Sequence, residues 1–406
     1  MSRSSFSSTL VLLVLLAAGA ALAAAVVLRS GEAPEPPGLP DPLSRLEGFG
    51  RTLEDRDAAR AALEADAPKY AWDLFLWLNQ PVAGGGPKHW ETSFRQTSTI
   101  YLPDGRKPAP WGSDETPAEV QERAAQLSAA PGGTCAPPGV WHDLDTAIQV
   151  DGLALLDRWN TDVRYQLLMN RPAFDYLVSR GFYNVDGQEA AAREGKPADF
   201  PWTAYELKTS WIWIGQDPER CAALRDRFYV VNAYFQRLDD DGRPAGWEVG
   251  WAALAGMHII NKTLPDWVWI TFENVNAPDF TRARLELPLA ADVQAANQRY
   301  QAALRAAGSI LAEYQLDGVQ VRFTEGGERT LLANSTIESA FQPESSCITC
   351  HGLASIRPDG EYFDLVRPGT GDLAYYTGDP PDVGAQGFTR LDFVWSMKRA
   401  FRERTP

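Results

Sequence analysis

The sequence predicts an α+β protein with a helical N-terminal part, an aromatic-rich antiparallel sheet in the middle and a small helical unit at the C-terminus. Three observations predict it. Before residue 131, apolar residues recur at helical spacing. Between 202 and 275 the texture changes to short aromatic and β-branched runs broken by turn residues. After residue 331, helix signals return around a tight Cys/His cluster.

Taken in order, the chain starts with a leader. Arg3 and the α-amino group precede an apolar run from Thr9 to Leu28, and Ala21-Leu22-Ala23 offers a small-x-small cleavage site. Twenty apolar residues are also enough to span a bilayer. Residues 1–28 therefore read as a signal peptide or an uncleaved anchor, with cleavage preferred because the Ala-rich second half is less hydrophobic. Both readings put the remainder in the periplasm, soluble or tethered to the inner membrane by residues 9–28. Residues 29–50 are a Pro-rich linker.

Helices are expected at 52–66 and 69–79, the second ended by Val82-Ala-Gly-Gly-Gly-Pro87. Others are expected at 117–130, stopped by Pro131-Gly-Gly, at 160–181 and at 290–308. Strands are expected at Trp211-Ile-Trp213-Ile, Phe228-Tyr-Val-Val, Trp247-Glu-Val-Gly-Trp251, Trp267-Val-Trp269-Ile-Thr-Phe272 and Gly318-Val-Gln-Val-Arg-Phe323. Ser335-Thr-Ile-Glu338 offers a capped helix leading into the Cys/His cluster, and Asp392 to Ala400 a last one. The chain thus divides into an α+β body at 51–330 and a terminal unit at 331–406, with no internal repeat.

Composition sets limits. With 45% hydrophobic residues and 14 Trp, the chain can build a sizeable core. A formal charge of −15 argues against nucleic acid, which needs a basic face. It would steer basic partners toward the protein, or simply keep the protein soluble. Cys135 and Cys221 lie outside the cluster, an even number that reads as one disulfide in an oxidising compartment.

Cys347-Ile-Thr-Cys350-His351 carries the chemistry. A C-x-x-C-H run places two thiols to add across the vinyl groups of one haem, with the adjacent His beneath the iron as proximal ligand. A thioredoxin-like pair and half of a zinc site are the rivals. The first belongs beside a βαβ unit, and the second needs another ligand pair that the scattered Cys do not supply. One covalent haem c is expected, and its attachment outside the cytoplasm agrees with the leader.

Several further motifs resemble a family of bacterial exported single-haem c-type cytochromes. They are Ala71-Trp-Asp-Leu-Phe-Leu-Trp-Leu-Asn79, His89-Trp-Glu-Thr92, Glu206-Leu-Lys-Thr-Ser-Trp211, Gly256-Met-His-Ile-Ile-Asn-Lys-Thr263, Trp267-Val-Trp-Ile-Thr-Phe-Glu273, Leu332-Ala-Asn-Ser-Thr-Ile-Glu338 and Ser345-Ser-Cys-Ile-Thr-Cys-His351. The likeness covers most of residues 70–400, and departs from the family over 95–150, where insertions surround Gly132-Gly133. It implies one haem, a cytochrome c-like terminal unit and an exported location, and carries no substrate.

The sixth iron ligand has two candidates. Met397 comes first, 46 positions after His351, where a late Met would fold back over the ring beside Phe393, Val394 and Trp395. His258 comes second, set between small and apolar neighbours in Ala255-Gly-Met-His-Ile-Ile. Each also reads as ordinary core. His89, His142, Met169 and Met257 rank lower, and Lys262 and Glu273 either line a pocket near the haem or serve as a turn residue and an ion-pair partner. The expected function is electron transfer with a redox partner protein. The alternative is a haem-dependent oxidoreductase, a peroxidase or small-molecule oxidase, whose site lies in the body. The length ahead of the haem favours an enzyme, and the absence of a catalytic triad, second metal cluster or nucleotide loop favours a carrier.

Overall fold

Asp55 and Asp66 start the helical layer. Asp55 accepts from the backbone N–H of Asp57 at 2.9 Å and Ala58 at 3.1 Å, and Asp66 from that of Lys69 at 2.9 Å. They open α2 (Arg56–Ala65) and α3 (Ala67–Leu78), after α1 (Leu46–Thr52). The computed structural model describes residues 46–82, 86–128, 134–145, 154–365 and 378–404, which belong to one compact unit. The expected leader over residues 1–28 and residues 29–45 of the expected linker lie outside them. No helix among the described residues is long and apolar enough to cross a membrane.

Next come α4 (His89–Ser93), β1 (Phe94–Gln96), α5 (Ala118–Ser128), β2 (Trp141–Asp143), β3 (Arg164–Asn170), α6 (Arg171–Arg180) and α7 (Val185–Arg193). Then follow β4 (Tyr205–Gly215), α8 (Pro218–Leu224), β5 (Val230–Leu238), β6 (Pro244–Asn261), β7 (Val268–Asn274), α9 (Ala277–Phe280), α10 (Ala291–Ala306) and β8 (Tyr314–Gln320). The C-terminal stretch holds two short hairpin strands, β9 (Thr324–Glu325) and β10 (Glu328–Arg329), then α11 (Cys347–Gly352), β11 (Ser355–Ile356) and β12 (Thr389–Arg390).

Strands β1 to β8 form one mixed sheet. Its order is β1-β3-β4-β6-β5-β2, and β7 joins β6 to β8. Strand β6 is the spine: β4 runs along one edge, while β5 pairs with its first part and β7 with its last. These pairings are antiparallel, as expected, but β2 and β5 run parallel, Trp141 opposite Asn232.

The sheet's two faces have different covers. Along β6, Met257 and Ile259 enter the core made with α1, α2, α3 and α10, while the next residue, Ile260, joins a second core on the other side. Helix α3 is apolar nearly all round because it lies inside. Its Trp72 stacks on Tyr300 with centroids 5.2 Å apart and donates from Nε1 to Asn297 Oδ1 at 3.0 Å. Asp73 accepts from Tyr300 Oη at 2.6 Å. The Trp-Asp pair of the Ala71–Asn79 motif is thus a joint between α3 and α10. Burying a ring such as Phe75 there contributes about 1.5–3 kcal/mol.

Three local expectations give way to tertiary structure. Residues 164–170 are strand β3, not helix; they pair with β4, and only after Asn170 caps Ala173 at 3.3 Å does α6 begin. Asn334 to Glu338 makes one helical turn that does not propagate, because its side chains are spent on the sheet. The helix expected over 392–400 is reduced to a 3-10 turn, Trp395–Arg399, because Asp392 and Phe393 take φ values of 52° and 68°. Among the described residues of the C-terminal stretch, α11 is the one α-helix, and short turns and hairpins surround it.

Cys135 and Cys221 form a disulfide, with Cα atoms 5.7 Å apart, that ties a loop to α8.

Candidate functional site

Helix α11 supplies the heart of the site. Spacings of three and four residues bring Cys347, Cys350 and His351 onto one helical face. All three line one cavity of about 430 Å³, within the range of small-molecule and cofactor sites. The cavity lies between α11 and the sheet. Strands β3, β4, β6 and β7 contribute Leu167, Glu206, Lys208, His258, Ile260 and Trp269, and the segment before α11 adds Ile337, Glu338 and Phe341.

His351 is held through one ring nitrogen. Its Nδ1 lies 2.7 Å from the carbonyl oxygen of Phe393. A carbonyl can only accept, so Nδ1 carries the proton and Nε2 keeps its lone pair. Burial pushes the imidazole pKa down to about 4, which preserves the neutral form. Trp269 packs against the ring with centroids 4.4 Å apart, and Trp395 Nε1 donates to the Cys350 carbonyl at 2.9 Å. Cys347 is buried, and that burial pushes its thiol well above the ordinary range.

A second polar group lines the same cavity from the side of the sheet. His258 Nε2 lies 3.0 Å from Glu338 Oε1. Glu338 also accepts from the Asn334 N–H at 2.9 Å. Burial raises its pKa, but His258, Lys208 and that N–H outweigh the burial and hold the carboxyl below its usual range. Asn334 in turn donates from Nδ2 to Thr271 Oγ1 and the Phe272 carbonyl at 3.0 and 2.9 Å, and Ser210 Oγ meets Thr336 Oγ1 at 2.6 Å. The Asn334–Glu338 motif is therefore a latch on the sheet that delivers a carboxylate to His258. Elsewhere on the wall, Glu206 is pushed up to about 7 by burial and accepts from Ser396 Oγ at 2.6 Å.

The structure separates the two candidates for the sixth ligand. His258 lines the cavity with His351. Met397 does not: its side chain is fully buried in the second core, the cluster that also holds Phe182 and Ile356. Only its neighbours Trp395, Ser396, Lys398 and Arg399 reach the wall. The 3-10 turn in place of a helix aims Met397 inward, so the sequence distance that favoured it is no guide. Met169 and Met257 are core residues, His89 stacks on Trp77 at 4.7 Å, and His142 is buried against Trp90 at 4.9 Å. Glu273 is buried beneath the Ser335 N–H at 3.0 Å, and Lys262 is buried against Asp392; neither lines the cavity.

The donor set fits a covalent haem. Two thiols and a neutral imidazole share a helical face, the walls are largely apolar, and Lys208 and Lys398 are cations available to the two propionates, beside a third cation, Arg399. Arg399 is already engaged by Asp145 at 2.9 Å. Sequence reasoning missed Glu206, Lys208 and Glu338 as wall residues. The signal was present in the alternation of β4, where positions 206 and 208 share a face. Among the described residues, no group of three or more His, Cys, Asp or Glu side chains forms a metal site of its own. No family model, no curated protein and no solved structure matches this chain.

Proposed function

We propose that this is an exported c-type cytochrome, akin to the bacterial single-haem family its motifs resemble. It carries one haem through thioethers at Cys347 and Cys350 and transfers electrons to and from a redox partner protein. The observation that carries the reading is the meeting of both thiols and the carbonyl-held imidazole of His351 in one apolar cavity. When bound, the haem supplies one-electron chemistry. His351 offers Nε2 to the iron, the Phe393 carbonyl fixes the proton on Nδ1, and Trp269, Ile260 and Ile337 exclude water from the ring. Among the other cavity residues, His258 would be the one to serve as a second iron ligand. Glu338 orients it and strengthens it as a base.

Residues 1–28 supply the export signal in this reading, and the periplasm the compartment, with the leader cleaved or kept as an inner-membrane anchor. The test is haem staining of a denaturing gel. The wild-type chain should retain peroxidase-type staining, and Cys347→Ser with Cys350→Ser should abolish it. Staining that survives both changes would refute covalent attachment.

A haem-dependent oxidoreductase is the second reading, favoured by one observation. His258 with its Nε2 on Glu338 is a hydrogen-bonded acid–base pair in the wall of the cavity. Its test is oxidation of a dye by peroxide with the haem-loaded protein. Turnover lost in His258→Gln would support this reading, and no turnover in wild type would exclude a peroxidase.

A further inference from the structure

Strand β6 bears His258 and ends at Asn261, and the next residue, Lys262, lies outside the cavity lining. Lys262 is 6% exposed, and its Nζ is paired with Asp392 Oδ1. Its backbone N–H donates to the Ala204 carbonyl at 3.1 Å, and its Nζ lies 3.7 Å from the exposed Asp199 and 5.7 Å from the Trp267 ring centroid. Asp392 uses its second oxygen, Oδ2, to accept from the Phe200 N–H at 2.6 Å. The carboxylate is thus held from two chain segments.

What it holds is unusual backbone. Asp392 and Phe393 are consecutive non-glycine residues in the left-handed region, at φ 52° and 68°. Such a step is strained and persists only where the surroundings over-determine it. The carbonyl at its end is the one that accepts from His351 Nδ1 at 2.7 Å. Turning the step back to the right-handed region would swing that carbonyl away from the imidazole.

We propose that Lys262 and Asp392 are positioning residues for the iron. Their buried ion pair locks the Asp392–Phe393 step, so that the Phe393 carbonyl draws on the His351 Nδ1 proton and makes the imidazole a stronger donor. This rests on the covalent haem proposed above. A stronger imidazole donor stabilises Fe(III) over Fe(II) and lowers the reduction potential. Lys262 acts without touching the cavity.

The test uses the full-length, haem-loaded protein and three variants: Lys262→Met, the neutral double change Lys262→Met with Asp392→Asn, and the conservative Lys262→Arg. Two readouts report on the imidazole: the midpoint potential, and the iron–imidazole stretching frequency, read by resonance Raman on the five-coordinate ferrous iron left when the CO adduct is photolysed. Losing an orienting partner typically costs 10- to 100-fold. The double variant should therefore shift the Fe(III)/Fe(II) equilibrium toward Fe(II) at least tenfold, about +59 mV for one electron, and lower the stretching frequency. Lys262→Arg should stay near wild type. The double variant exists because Lys262→Met alone leaves Asp392 buried and unpaired, and can unfold for that reason. A double variant that keeps its haem with wild-type potential and frequency overturns the proposal. So does one that cannot fold, since the pair would then serve the whole chain rather than His351. Absence of haem stain in wild type is a different failure, that of covalent attachment.

Discussion

His258 and Glu338 lie 80 residues apart in sequence, yet Nε2 and Oε1 meet at 3.0 Å on the wall that faces Cys347, Cys350 and His351. Neither residue reaches that wall alone. Strand register brings His258 there, and the Asn334 latch brings Glu338.

The first prediction contrasts the two ligand candidates. Met397→Ala should destabilise the fold by about 2–5 kcal/mol, because it empties a fully buried site. In the haem-loaded protein proposed above, the iron spectrum should be unchanged. His258→Ala should alter the visible and EPR spectra while leaving the helical core intact. Loss of a sulfur-to-iron band in Met397→Ala would reverse the assignment.

Glu206 sets a pH dependence. Burial raises its pKa from 4.5 to about 7 in the folded protein. A raised folded pKa means the folded state holds the proton more tightly than the unfolded chain does. The associated stability is fully present below about pH 4.5 and is lost as the pH rises through about 7. Denaturation of wild type should show a decline on the order of 3 kcal/mol across that window. Glu206→Gln keeps an acceptor for Ser396 and should remove that part of the decline. Parallel pH profiles for the two proteins would refute the assignment.

The disulfide gives a third expectation. Cys135 and Cys221 close a loop across a sequence separation of 86. Replacing both by Ser should cost about 2–5 kcal/mol in a denaturant titration. Non-reducing peptide mapping should recover the two Cys peptides joined, and alkylation of both thiols without reduction would exclude the bridge.

Gly256 marks where the latch meets the sheet. A Cβ at this position would lie 2.6 Å from both Asn334 Oδ1 and Thr336 Oγ1. Gly256→Ala should therefore cost about 1–3 kcal/mol by displacing the latch, and should loosen Glu338 from His258. Unchanged stability would mean that the latch is free to give way.

Some of this molecule was written locally. Helices α2, α3, α5 and α10 follow from apolar spacing, helped in α2 and α3 by Asp caps, and both act within a few residues. The shared face of Cys347, Cys350 and His351 follows from helical spacing alone. An even count of Cys outside the cluster pointed to the bridge now seen between Cys135 and Cys221.

Tertiary structure decided the rest, because the deciding contacts are distant in sequence. Residues 164–170 carry spacing that suits a helix, and pairing with β4 makes them a strand. Ser335 to Glu338 carries a capping signal, and hydrogen bonds to Thr271 and Phe272 stop it after one turn. Met397 has the sequence distance for a ligand, but two left-handed residues ahead of it turn the segment so that its side chain enters the core. The wall formed by Glu206, Lys208, His258 and Glu338 exists only once β4 and β6 are in register and the latch has closed, an arrangement that no window of neighbouring residues can specify.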